Sequence, residues 1–140
     1  MAARSGYRRL MDPARLQGVP LFSSLSAQDL AAVAEQAGER EVAAGTVVAR
    51  EGDPGEEFFA IESGTAEVTR DGAPLTKLGP GDFFGEIALL REERRVATVT
   101  ATSPMVLVVM TGAAFRALDA ATPAVREAVS QALADRQPVT

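Results

Sequence analysis

The sequence predicts a mainly β domain with flanking α-helices. Turn-forming residues recur every few positions between residues 44 and 82, the segments between them are short, and helical spacing is confined to the two ends of the chain. Twelve glycines and eight prolines are spread along the chain instead of clustered, which fits many short elements joined by turns better than a long-helix bundle. With 140 residues, 46% of them hydrophobic, the chain suffices for one domain with its own core.

In the segment LFSSLSAQDLAAVAEQAG, residues Leu25, Leu30, Val33, Ala34 and Ala37 recur at helical spacing. Ser26 is placed as its N-cap, Asp29 stands at the third helical position, and Gly38 falls where a C-terminal glycine belongs. From residue 39 the period becomes strand-like. The segments EVA, TVVAR, EEFFAIES, TAEVTR, APLTKL and DFF are separated by Ala44-Gly45, Gly52-Asp53-Pro54-Gly55, Ser63-Gly64, Asp71-Gly72 and Gly79-Pro80-Gly81-Asp82. Asp71-Gly72 is the clearest hairpin turn, because both residues tolerate the positive φ that a two-residue loop requires.

Two further strands follow. VATVTA alternates, whereas MVLVVMT is apolar from Met105 to Met110 and should lie centrally, buried on both faces. Helical spacing returns after Gly112 in AAFRALDA. Thr122 as N-cap and Pro123 at the first helical position then open TPAVREAVSQALADR, where Val125, Ala128, Val129, Ala132 and Leu133 form one apolar stripe. One helix, about eight strands and two helices make a sandwich, a jelly roll or a small barrel, and a β-barrel flanked by helices at both ends is the expectation.

Composition narrows the function. The net charge of −5 argues against general attraction to nucleic-acid backbones or anionic membranes, so an anionic ligand must be held locally. There is no cysteine and no histidine, which removes thiolate chemistry, disulfides, imidazole acid–base catalysis, the usual zinc sites and a histidine-ligated metal barrel. Ser23, Ser24 and Lys77 offer no nucleophile–base pair, so no catalytic residue and no metal ligand is assigned and the chain is not expected to be an enzyme. Asp53, Glu56 and Glu57 read as an acidic turn, since their spacing lacks the order of a calcium loop. No apolar run approaches the ~20 residues of a membrane span, and the start, with Arg4, Arg8 and Arg9, lacks the apolar region of a signal peptide. The expected location is the cytoplasm, with residues 1–19 as a basic tail or linker and 20–137 as the domain.

Three features coincide between Gly79 and Thr98. GPGDFFGE sets glycines where the backbone must turn or approach a ligand, and Gly85 leads into EIALL, one helical turn whose exposed amides suit an anion. Arg95, at the start of the next strand, can reach back with paired hydrogen bonds to a phosphate. Glu86 beside those amides can accept from a ribose hydroxyl. The plain readings are a loop for GPGD, a solvated charged loop for Arg91 to Arg95, and a structural pair for Glu86 with Arg95.

FGEIALLREERRVATV resembles, without a gap, the phosphate-binding cassette of the cyclic-nucleotide-binding domain family. LFSSLS, the REGD turn followed by EEFFAIESG, GPGDFFGE and FRAL also fall in that family's order, so residues from about 20 to 135 are covered. The resemblance implies a double-stranded β-helix or jelly-roll barrel with an N-terminal helix and two C-terminal helices. It implies that Arg95 pairs with the cyclic phosphate and that Glu86 accepts from the ribose 2′-hydroxyl. The amides around Ile87, Ala88, Val96 and Ala97 would complete the cradle, Gly85 would allow close approach, and Val129 or Leu133 would cover the base.

Two positions depart from the family pattern. Arg94 replaces the usual proline, which removes a rigid φ, and Val96 replaces a small residue and offers no hydroxyl to a guanine amino group. The implied ligand is cAMP, with cGMP the alternative, and no cofactor besides. The implied role is a sensor or regulatory domain whose C-terminal helix moves on binding, acting on an effector domain or partner protein, with a homodimer left open. Too few residues follow FRAL for an appended helix-turn-helix, so no nucleic-acid binding by this chain alone is expected, and no direct membrane insertion. The rival expectation is a degenerate family member that binds no nucleotide and serves as an interaction or dimerisation module.

Overall fold

The computed structural model describes residues 16, 19, 22, 23, 25–85 and 94–135, and only the backbone of residues 119, 121, 128, 129 and 132–135. The described strands are β1 (Ala37–Val42), β2 (Val47–Ala49), β3 (Glu57–Ser63), β4 (Ala66–Arg70), β5 (Ala73–Leu78), β6 (Phe83–Phe84), β7 (Thr98–Ala101) and β8 (Met105–Thr111). Helix α1 (Ala27–Gln36) precedes them, and α2 (Gly112–Ala121) and α3 (Pro123–Asp135) follow. Among the described residues no helix is long and apolar enough to cross a membrane.

The strands form two four-stranded antiparallel sheets, ordered β1-β8-β3-β6 and β2-β7-β4-β5. Pairing is nested: β1 with β8, β2 with β7, β3 with β6 and β4 with β5. That is one long ribbon folded back at the β4–β5 hairpin and wound so that its strands alternate between facing sheets, the expected jelly-roll pairing. The expected closed barrel is not formed. The chain changes sheet at corners where Gly45 and Gly64 hold φ of 91° and 94°, which interrupts the hydrogen-bond ladder between the two sheets.

The hairpin tip is as expected: Asp71 (φ 53°) and Gly72 (φ 80°) join Arg70 to Ala73, which are paired across the turn. The start of α1 is as expected too, with the Ser26 hydroxyl accepting the Asp29 N–H at 3.1 Å. Its end is not. The helix stops at Gln36, Ala37 is already extended, and Gly38 pairs with Val109 inside β1 instead of capping the helix. Six consecutive partners on β8 outweigh a local helix-stop signal.

Two cores result. Between the sheets lie Phe59, Ile61, Val68, Phe84, Val99, Leu107 and Val109. On the outer face of β1-β8-β3-β6, Phe58, Ala60, Val108 and Met110 pack against Leu30 and Val33 of α1, Phe115 and Leu118 of α2, and Val125 of α3. Phe58 stacks on Phe115 with ring centroids 4.4 Å apart. Leu16 and Val19, which precede the expected domain start, are fully buried in this helical core with Phe22 and Leu25.

Candidate functional site

The site lies at the end of the sandwich where β6 finishes, β3 begins and the segment leading to β7 crosses from one sheet to the other. Arg95 stands three residues before β7, held at both ends of its peptide unit. Its N–H donates to the Asp53 carbonyl at 2.8 Å, and its carbonyl accepts the Gly52 N–H at 2.9 Å. The REGD turn closes on itself through the Asp53 N–H and the Arg50 carbonyl, 3.1 Å, with Gly52 at a φ of 89° that favours glycine. Arg94 forms a β-bridge with Pro54, and its Nη1 donates to the Gly52 carbonyl at 3.0 Å. In place of a proline's rigid φ, this segment therefore has a side-chain tie to the facing turn.

The Arg95 side chain turns inward and the residue is 6% exposed. Its Nη2 donates to the Glu57 carbonyl at 2.8 Å, and the guanidinium carbon lies 5.7 Å from the centre of the Phe59 ring. Gly85 packs directly on this group. Its φ is 95°, and a Cβ there would come within 2.7 Å of both Arg95 Nη1 and the Glu57 carbonyl. Gly85 is thus required twice over, by backbone conformation and by the space the guanidinium occupies. Burial keeps the cation away from bulk screening, so a bound anion would meet it at close to full strength.

A cavity of about 550 Å³ opens beside Arg95. Val48, Ala49 and Phe59 give it an apolar floor, Arg50 and Asp53 to Glu57 form one wall, and Thr111 to Ala113 with Arg116 form another. Its volume falls within the roughly 300–1,000 Å³ of small-molecule pockets. The α2 wall is fixed to the β2–β3 loop, because the Gly112 N–H donates to the Glu56 carbonyl at 2.7 Å and Thr111 caps the helix by accepting the Ala114 N–H at 3.1 Å. Helical layer and site therefore share one boundary. Among the described residues no group of three or more carboxylates could hold a metal ion.

Of the residues singled out from the sequence, Gly85 and Arg95 meet in space. Val96 is half-buried and its carbonyl accepts from Arg70 Nε at 3.0 Å, while Ala97 is fully buried in the inter-sheet core. Glu86, Ile87 and Ala88 lie outside the described residues. Val129 and Leu133 fall on α3, with side chains outside what is described. Sequence reasoning did not find the contributions of Glu57, Phe59, Arg40 and Arg70. Glu57 was read as part of an acidic turn, but its carboxylate is bound by Arg40 Nη2 at 3.0 Å. The β4–β5 tip is tied to the same region by Glu51, whose N–H donates to Thr98 Oγ1 and whose carboxylate accepts the Asp71 N–H, each at 3.0 Å.

A family model described as the cyclic nucleotide-binding domain matches residues 39–121. A cAMP-dependent protein kinase regulatory subunit from Debaryomyces hansenii is 39% identical over 116 residues, which cover 82% of this chain and 26% of that protein. The regulatory domain of Toxoplasma gondii PKA, co-crystallised with cAMP, superposes with a TM-score of 0.78 at 25% identity over 89% of this chain and 49% of that one. A cAMP-binding acyltransferase from Mycobacterium smegmatis does so with 0.73 at 32% identity over 85% and 38%. The chain thus spans about a quarter of the length of the curated relative and less than half of either solved chain.

Proposed function

The chain belongs to the cyclic nucleotide-binding domain family, and on that premise we propose that it binds a cyclic nucleotide, cAMP in preference to cGMP, as a cytoplasmic regulatory domain. The observation that carries this reading is the buried Arg95, clamped through its backbone to the REGD turn and packed on a glycine that leaves no room for a side chain. A guanidinium fixed in this way is oriented before the ligand arrives, which lowers the entropy cost of gripping a phosphate with two hydrogen bonds. The relatives that bind cAMP support the ligand class. In this reading Glu86 accepts from the ribose hydroxyl, the amides of Ile87, Ala88, Val96 and Ala97 surround the phosphate, and Val129 or Leu133 covers the base. Val96 supplies no hydroxyl for a guanine amino group, hence the preference for cAMP.

In this reading the domain proposed for residues 20–137 extends to include Leu16 and Val19, because both are buried against the helices. Signal output follows from the shared wall. The cavity reaches the first turns of α2, and α2 passes to α3 through Thr122, whose N–H donates to the Leu118 carbonyl at 2.9 Å and whose carbonyl accepts from Val125 and Arg126. A ligand that binds more tightly to one placement of α2 shifts α3 with it, toward an effector domain or partner protein. No catalytic step is assigned to this chain.

Calorimetric titration with cAMP and with cGMP tests the reading. Saturable binding of cAMP, weaker binding of cGMP and a thermal shift with each are expected. No heat and no shift at millimolar concentrations of either nucleotide would leave the interaction-module reading.

A further inference from the structure

The inner face of the β1-β8-β3-β6 sheet is apolar through Phe59, Ile61, Leu107 and Val109. Among the described residues, an ion pair between Arg40 and Glu57 interrupts it. Arg40 stands opposite Leu107 on β1 and Glu57 opposite Thr111 on β3, so Arg40 reaches diagonally across β8 to place Nη2 3.0 Å from Glu57 Oε2. The side chains are 21% and 26% exposed, and the Arg40 guanidinium lies 5.8 Å from the centre of the Phe59 ring, the same ring that carries Arg95. A half-desolvated pair on an otherwise apolar face contributes little net stability, so stability alone is a poor reason for its presence.

Glu57 is held at two ends by two arginines: its carbonyl accepts from Arg95 and its carboxylate from Arg40. We propose that Arg40 is a positioning residue for ligand binding, because by engaging the Glu57 carboxylate it keeps that charge from competing with a ligand phosphate for Arg95. The proposal rests on the reading of Arg95 as the phosphate grip. Among the described residues lining the cavity, Asp53 and Glu56 are exposed and screened by solvent, whereas Glu57 is half-buried and its own carbonyl holds the Arg95 guanidinium. Without Arg40, the half-buried Glu57 carboxylate would lose this ion pair while its carbonyl still holds the Arg95 guanidinium. That charge would then draw on Arg95, and an incoming phosphate would meet a weakened cation and a like charge.

The test is calorimetric titration of cAMP into the wild-type chain and the variants R40A, E57Q, R40A/E57Q and R95A, with denaturant unfolding of each unliganded protein alongside. R40A is expected to bind about tenfold more weakly, E57Q about threefold or more tightly than wild type, and the double variant to return to within about threefold of wild type. Recovery by E57Q is the readout that a merely structural role for Arg40 would not give. The inference is overturned if R40A binds like wild type, if the double variant stays as weak as R40A, or if E57Q does not bind more tightly. The E57Q arm keeps Arg40 in place and decides the matter even if R40A fails to fold. Loss of binding in R95A alone would leave the functional reading standing and overturn this inference, whereas a wild-type chain that binds no cAMP overturns both.

Discussion

The two sheets face each other across one core yet differ on their outer faces. Among the described residues, the β1-β8-β3-β6 sheet is covered on both sides, by the other sheet and by the three helices, whereas β2-β7-β4-β5 is covered on one, with β5 exposed along all but its last residue. The difference is written in the strands: β8 reads MVLVVMT without a polar break, while β7 reads TVTA and alternates. What it teaches concerns placement. Neighbouring residues of β3 serve different ends: Phe58 points to the helices, and Phe59 points inward, where its ring lies beneath Arg95. The sheet buried on both sides is therefore where the candidate site and the helical layer share a strand.

Truncating those two neighbours is the strongest way to break the comparison. Phe58→Ala and Phe59→Ala should each cost about 3–5 kcal/mol in urea unfolding. Measured on folded protein, Phe59→Ala should weaken cAMP binding by about tenfold more than Phe58→Ala does, because only the former removes the ring under the guanidinium. Equal losses of affinity would show that the two faces of β3 are not functionally distinct.

A smaller pair of changes contrasts the two ends of the sandwich. Gly64 and Gly85 have nearly the same φ, 94° and 95°, and both are crowded: a Cβ on Gly64 would collide with the Pro104 carbonyl oxygen. Alanine at either should cost at least ~1–3 kcal/mol through backbone strain. Only Gly85→Ala should also abolish nucleotide binding, by displacing Arg95, and isothermal titration of both variants would expose the contrast or remove it. The smallest effect belongs to the helical layer alone. Ser26→Ala removes the cap that accepts the Asp29 N–H and should lower stability by about 1 kcal/mol with cAMP affinity unchanged.

Much of this frame was legible in the sequence because its signals are local. Asp71-Gly72 announced a hairpin, Ser26 a cap, and the unbroken run Met105 to Met110 a strand buried on both faces, and each of these follows from a few adjacent residues. Gly38 misled for the complementary reason: its glycine signal is local, while its place in β1 is set by Val109, far along the chain. Gly85 and Arg95 were identified from one continuous stretch. The partners that orient Arg95 come from residues 52, 53 and 57, some forty positions away, and nothing in EGDPGEEFF states that its carbonyls rather than its carboxylates would meet the arginine. The Arg40–Glu57 pair was illegible in the same way, because it joins strands that are not even neighbours in their sheet.

The most direct measurement is titration of cAMP into the wild-type chain and into Arg95→Ala, with circular dichroism to establish that both are folded. Wild type should give saturable heat, and the variant should lose the ~1.5–3 kcal/mol of a charge-assisted hydrogen bond or more, a weakening of about tenfold to over a hundredfold. Equal affinity in the two proteins, or a folded wild type that takes up no cAMP at millimolar concentration, would contradict the account.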